Sequence, residues 1–147
     1  MSRNTWPAPV LLVEDNPDDI ELASHALAQS GLRNPLDIAR SVEEVLKRIE
    51  LWMQGEPTPR VILLDLGLPD GHGLDLLGQI KQHALGQTIP VVVFSGSCSE
   101  RDVRAAYAIG ACSYIAKPHH FDEYVRSLGE VTAYWCQLNQ TYAANAR

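Results

Sequence analysis

Three short apolar runs constrain this chain more than any other feature: PVLLVE (Pro9–Glu14), VILLD (Val61–Asp65) and PVVVFS (Pro90–Ser95). A nearly continuous aliphatic run of this length fits a strand covered on both faces, as in a parallel sheet, rather than a strand with one face in water. Yet segments built for burial end here on Glu14–Asp15, on Asp65 and on Ser95–Gly96.

Between the runs the apolar period changes to three or four residues. Asn16 is placed to cap a helix, Pro17 suits its first position, and Asp18 and Asp19 favour the positive end of its dipole. Ile20, Ala23 and Leu27 mark its inner stripe, and Gly31 stops it. Leu36–Arg40 reads as a weaker strand, followed by a helix from Val42 to Met53 with Val45, Leu46 and Ile49 inward. QGEPTPR is a loop by composition. Leu74–His83 carries a second stripe through Leu76, Leu77 and Ile80. Ser99–Ile109 reads as a helix with Ser99 and Asp102 in capping-box spacing and Gly110 as its stop. Cys112–Ala116 is a final strand before Lys117–Pro118. From Phe121 to about Gln140 runs the strongest stripe: Phe121, Tyr124, Val125, Leu128, Val131, Thr132, Trp135 and Leu138. Five strands alternating with five helices predict an α/β fold on a parallel sheet with right-handed crossovers.

A length of 147 residues predicts one domain, and 46% hydrophobic residues supply a substantial core. The net charge of −6, with no block of Lys and Arg, excludes nucleic acid as a direct partner. The N-terminal segment has the pattern of neither a signal peptide nor a membrane span. Cys98, Cys112 and Cys136 show no CxxC spacing, so a reducing cytoplasm is the expected setting and no disulfide framework or structural zinc is expected. His119–His120 reads as a loop or helix cap.

In parallel α/β sheets the chemistry sits beyond the carboxyl ends of the strands. That rule gathers Glu14, Asp15, Asp65, Ser95 and Lys117. Each alone has an ordinary explanation as a helix-start acid, an Asx turn, a loop hydroxyl or a surface lysine. Three carboxylates in one crevice repel one another, and a hard divalent cation resolves the conflict. An oxygen-only cluster with few ligands suits Mg²⁺.

Taken in order, Glu14–Asp15, LLDLGLPDGHG around Asp65, VVVFSG and GACSYIAKP around Lys117 resemble the receiver domain of two-component response regulators. The resemblance spans about Val10 to Gln140. LLVEDNPDDIELASHAL, YIAKPHHFDEY and the closing TAYW are most similar to single-domain regulators paired with bacterial phytochrome histidine kinases. The resemblance implies a flavodoxin-like sheet of order 2-1-3-4-5 with helices on both faces, a single receiver domain over 1–147 (core about 9–140) and no output domain. It implies Asp65 as phosphoryl acceptor and Mg²⁺ held by Glu14, Asp15, Asp65 and the Gly67 carbonyl, Asp15 being the more direct ligand of the acidic pair. Ser95 and Lys117 would contact the phosphoryl group, Tyr114 would be the switch aromatic, and Pro118 would follow a cis bond. The implied donor is a phosphohistidine on a sensor histidine kinase, and the protein is a phosphoacceptor rather than an enzyme.

The sequence departs from the family pattern in three places. Gly67 stands where many receivers carry a bulky residue, Gly71–His72 replaces a common Met-Asp or Met-Asn pair, and Ser95 replaces the commoner threonine. His72 reads as a solvated loop histidine beside the site. The expected signal is a movement of Ser95 toward the phosphoryl group that lets Tyr114 move inward. Output is expected through protein contacts, with a separate target or a second copy of the chain; Tyr134, Trp135, Leu138 and Tyr142 on the last helix either close the core or offer a surface for a homodimer. An aspartyl-phosphate phosphatase would want a second Asp where Gly67 stands, and a nucleotide module would want a glycine-rich loop where EDNPDD stands. The remaining alternative is an interaction module of the same fold that signals without phosphorylation.

Overall fold

The computed structural model describes residues 7–140. The elements run β1 (Val10–Val13), α1 (Pro17–Ser30), β2 (Leu36–Ala39), α2 (Val42–Met53), β3 (Val61–Leu64), β4 (Gly67–Leu68), β5 (Gly71–His72), α3 (Gly73–Gln82), β6 (Val91–Ser95), α4 (Glu100–Ile109), β7 (Ser113–Ala116) and α5 (Phe121–Ala133). Five strands form one parallel sheet of order β2-β1-β3-β6-β7, the flavodoxin-like order 2-1-3-4-5 once the short hairpin β4–β5 is set aside. That hairpin, directly after Asp65, is where a plain loop is expected from composition.

The apolar runs are continuous because both faces of the sheet are covered. Leu11, Val13, Ile62, Leu64, Val91 and Val93 face a core completed by α2, α3 and Ala106 of α4. Their alternates, Val10, Leu12, Val61, Leu63, Val92 and Phe94, face a second core built by α1 and α5. Each strand thus sends successive side chains into different cores, and no position in its middle is left to water.

The helix ends follow the sequence signals closely. Asn16 Oδ1 accepts from the backbone N–H groups of Asp18 and Asp19 at 2.8 and 3.4 Å, and Gly31 closes α1 at φ 77°. Ser99 Oγ accepts from Asp102 N at 3.1 Å, but the Asp102 carboxylate takes the Ser97 hydroxyl at 2.6 Å. The final helix differs from expectation. The α-helix stops at Ala133 and continues as a π-helical turn over Tyr134–Leu138, closed by Asn139 N donating to Tyr134 O at 2.7 Å. Widening the turn lets the consecutive residues Trp135 and Cys136 both rest against the second core, while Leu138 is 78% exposed. Phe121, expected on the inner stripe, is 53% exposed; its ring lies 5.6 Å from that of His25 on α1. Tyr142 lies outside the described residues.

Two glycines test the packing in opposite directions. A Cβ on Gly86, in the turn after α3, would stand 1.9 Å from the Ile80 carbonyl oxygen. A Cβ on Gly129, inside α5, would meet nothing within 4 Å. Chemical denaturation should find Gly129→Ala stabilising by about 0.5–1 kcal/mol, since helix-interior glycine carries an entropic cost. Gly86→Ala should destabilise by roughly 1–3 kcal/mol through overpacking.

Candidate functional site

The backbone ladder extends one residue past the strands and sets the level of the site. Val13 and Leu64 are register partners, so Glu14 and Asp65 emerge side by side, with Asp65 N donating to Val13 O at 3.0 Å. Glu14 N donates to Ala39 O at 3.0 Å, and Lys117 N to Ser95 O at 2.8 Å. Five strand ends are fixed by main-chain bonds before any side chain acts.

Glu14, Asp15 and Asp65 each offer a carboxylate oxygen within 4.8 Å of the others. Glu14 is buried, Asp65 intermediate and Asp15 exposed. Together with Asn16, Pro17, Asp19, Gly67, Gly96 and Lys117 they line an open cleft of about 600 Å³. An all-oxygen donor set of unequal exposure fits a hard divalent cation that keeps part of its water.

Lys117 binds the cluster together. Its Nζ donates to Glu14 Oε1 at 2.6 Å and to Asp19 Oδ2 at 2.7 Å, and lies 3.4 Å from Asp65 Oδ2. The second Glu14 oxygen accepts from Asn16 N at 3.1 Å. Burial pushes the Glu14 carboxyl up to about 7, against the pull of the Lys117 hydrogen bond and charge. Burial also works against the Lys117 ammonium, but the bonds to Asp19 and Glu14 outweigh it and hold the group above its ordinary value.

Asp19 was legible only as a helix-start acid, and its ion pair was not. It sits on the first turn of α1, and α5 reaches the same turn through Tyr124, whose hydroxyl donates to Asp19 O at 3.4 Å. The sequence signal was EDNPDD itself: the Asn16 cap turns the chain back over Glu14 and places Asp19 above Lys117.

Ser95 is buried at the end of β6, and its Oγ accepts from Ser97 N at 3.3 Å. Tyr114, on β7, is partly buried against the first core and its hydroxyl donates to Ser97 O at 2.7 Å. It lies outside the acidic cleft. Pro118 lines an adjoining cleft of about 300 Å³ with His119, His120 and Phe121. His120 occupies the N-cap position of α5 without a side-chain bond.

One expectation at this end needs correction. No cis peptide bond occurs among the described residues, so Lys117–Pro118 is trans. Trans is favoured by roughly 0.5–1 kcal/mol, and in it Lys117 already meets its carboxylates, so the ion pairs impose no cis bond.

His72 is exposed, as expected, but it is more than a solvated loop residue: its Nδ1 accepts from Leu74 N at 3.0 Å and caps α3. Accepting there needs an unprotonated Nδ1. The next residue must be small. A Cβ on Gly73 would stand 2.5 Å from Leu66 Cα and 2.7 Å from the Asp65 carbonyl oxygen.

Residues 10–128 match the family described as the response regulator receiver domain. Over 136 residues the chain is 35% identical to the probable methanogenesis regulatory protein FilR2 of Methanothrix harundinacea, covering 92% of this chain and 88% of that protein. It is 33% identical over 135 residues to the response regulator Rcp1 of Synechocystis, covering 89% and 90%. The Mn²⁺-bound form of Rcp1 superimposes with a TM-score of 0.85 at 30% identity, over 93% of this chain and 100% of that one. The phosphorylated cyanobacterial phytochrome response regulator RcpA gives a TM-score of 0.86 at 29% identity, over 93% and 99%. With the acidic cluster and its lysine at the carboxyl edge of this sheet, the chain belongs to the response regulator receiver domain family.

Proposed function

We propose that this receiver accepts a phosphoryl group on Asp65 from the phosphohistidine of a sensor histidine kinase, with Mg²⁺ held by Glu14, Asp15, Asp65 and the Gly67 carbonyl. The observation that carries the reading is the Asp65 carboxylate 3.4 Å from the partly buried Lys117 ammonium and within the three-carboxylate cluster. The likeness to a Mn²⁺-bound and a phosphorylated regulator supports it. When bound, the cation supplies the positive charge that lets phosphoryl oxygens enter an acidic cleft.

An oxygen of Asp65 attacks phosphorus as the P–N bond breaks. The electron pair leaves with the imidazole nitrogen, and the new P–O bond forms the acyl phosphate. A carboxylate is a weak nucleophile, so catalysis rests on position and charge. Lys117 offers its third N–H toward Asp65, having spent the others on Glu14 and Asp19. Ser95 supplies a hydroxyl to the phosphoryl group. Ser97 joins Ser95 to Tyr114, so the aromatic ring responds to that hydroxyl. The phosphoryl group shifts the equilibrium only by contacts that differ between the two states.

The likeness to a phytochrome regulator makes a phytochrome-type kinase the partner of choice. Output runs through a homodimer at the end of α5, where Tyr134 is 46% and Leu138 78% exposed. Among the described residues no helix is long and apolar enough to cross a membrane.

Intact mass after incubation with acetyl phosphate and Mg²⁺ should show one phosphate-sized gain in the wild type and none in Asp65→Asn. Ser95→Ala should still gain the phosphate but leave the Tyr114 environment unchanged by it in NMR. No gain with any donor would favour the phosphorylation-independent module. Sedimentation with and without a phosphoryl mimic tests the dimer, and a monomer in both removes it.

The raised Glu14 carboxyl gives a stability prediction. Its folded value lies above its unfolded one, so its contribution is full below about 4.5 and is lost as pH rises through about 7. In EDTA the wild type should therefore lose on the order of 2 kcal/mol between pH 5 and pH 8 relative to Glu14→Gln. Divalent cation should restore that loss in the wild type. Thermal melts across this range, with and without metal, measure it.

A further inference from the structure

The backbone N–H groups at the start of α2 are satisfied from an unexpected direction. Ser41 supplies the ordinary cap, its Oγ accepting from Glu44 N at 3.2 Å and its carbonyl from Val45 N at 3.3 Å. Glu44 returns the bond by accepting from Arg40 N at 2.9 Å. A helix start leaves four N–H groups without intrahelical partners, and two of them here are Val42 N and Glu43 N. Both donate to Asp70, at 2.8 Å to Oδ1 and 3.1 Å to Oδ2. Asp70 sits at the tip of the hairpin that follows Asp65, more than two dozen residues along the chain.

One exposed carboxylate thus fastens the hairpin to a helix it does not belong to. The two N–H bonds hold the Asp70 carboxyl below its ordinary range. The approach is close as well as bonded: a Cβ on Gly71 would stand 3.0 Å from Val42 Cγ2. The other end of the hairpin is tied by His72 to α3 and by Gly73 N donating to Leu66 O at 2.8 Å. Between these anchors runs Gly67, paired with His72 and lining the acidic cleft. Gly67 has no side chain to hold its own position, so the orientation of its carbonyl depends on the two anchors.

We infer that Asp70 is a positioning residue for the cation site: by capping α2 from the hairpin it fixes the Gly67 carbonyl as a ligand. This rests on the reading of that carbonyl and of Asp65 as cation ligands.

The test is Mn²⁺ binding to the unphosphorylated full chain, read by EPR of the free ion, with thermal melts alongside. Asp70→Ala should weaken binding about tenfold, the scale on which supports of metal ligands act. Asp70→Asn keeps one acceptor oxygen and should fall between. Two controls separate positioning from other effects. Ser41→Ala removes a cap from the same helix without touching the hairpin, and Glu43→Gln removes one negative charge at the same place without touching a cap. Each should change affinity by less than about twofold, as exposed charges and caps do. Affinity in Asp70→Ala no weaker than in either control overturns the inference. If Asp70→Ala does not fold, Asp70→Asn is judged by the same comparison. Asp65→Asn guards the underlying reading: if it binds Mn²⁺ as the wild type does, the cation site itself is wrong and the inference falls with it.

Discussion

The Lys117 ammonium is the interaction on which the rest of the site depends. Among the described residues it is the only cation lining the acidic cleft, and four carboxylates line the same cleft. A charge largely withdrawn from water in this position needs partners on several sides. Glu14, Asp19 and Asp65 provide them from the end of β1, the start of α1 and the end of β3. Because these partners arrive on three separate elements, the ion pairs also act as a clamp across the top of the sheet. Burial nevertheless holds the Glu14 carboxyl above its ordinary value, with Lys117 pulling it down and the charge of Asp65 adding a smaller push upward.

The sheet and the loops divide the work differently. Main-chain bonds between parallel strands fix Glu14, Asp65 and Lys117 to one level, and the aliphatic runs behind them are buried in two cores. This half of the site is rigid and was legible in the sequence, since a run such as VILLD has one way to sit in a doubly covered sheet. The caps were legible too, because Asn16, Ser99, Gly31 and Gly110 act on neighbours within a few residues. What the sequence hid involves direction or distance along the chain. Asp19 has the same composition signal whether it faces water or Lys117. Asp102 had the spacing of a capping box, but a hydroxyl five residues earlier offered a shorter bond. His72 gave no sign of its cap, since histidine is an uncommon N-cap and only its ring orientation reveals the bond. The π-helical turn at Tyr134–Leu138 arises from packing of Trp135 and Cys136, which no three-four spacing predicts.

In the loop after β6 one residue carries bonds to three parts of the fold. Ser97 donates its N–H to Ser95 Oγ, donates its hydroxyl to Asp102 on α4, and accepts the Tyr114 hydroxyl on its carbonyl. One residue therefore touches the buried hydroxyl, the helix and the aromatic side chain. In the proposed switch, movement of Ser95 would alter the orientation of the peptide that Tyr114 holds, and would reach α4 through Asp102. The expected exchange between Ser95 and Tyr114 need not be a matter of vacated space alone. Helix α4 is poorly held otherwise, with Ala106 its one buried residue, so few apolar contacts resist its displacement. Helix α4 is thus bonded to a residue that also touches the Ser95 hydroxyl, whereas β3 and β6 are packed between two cores.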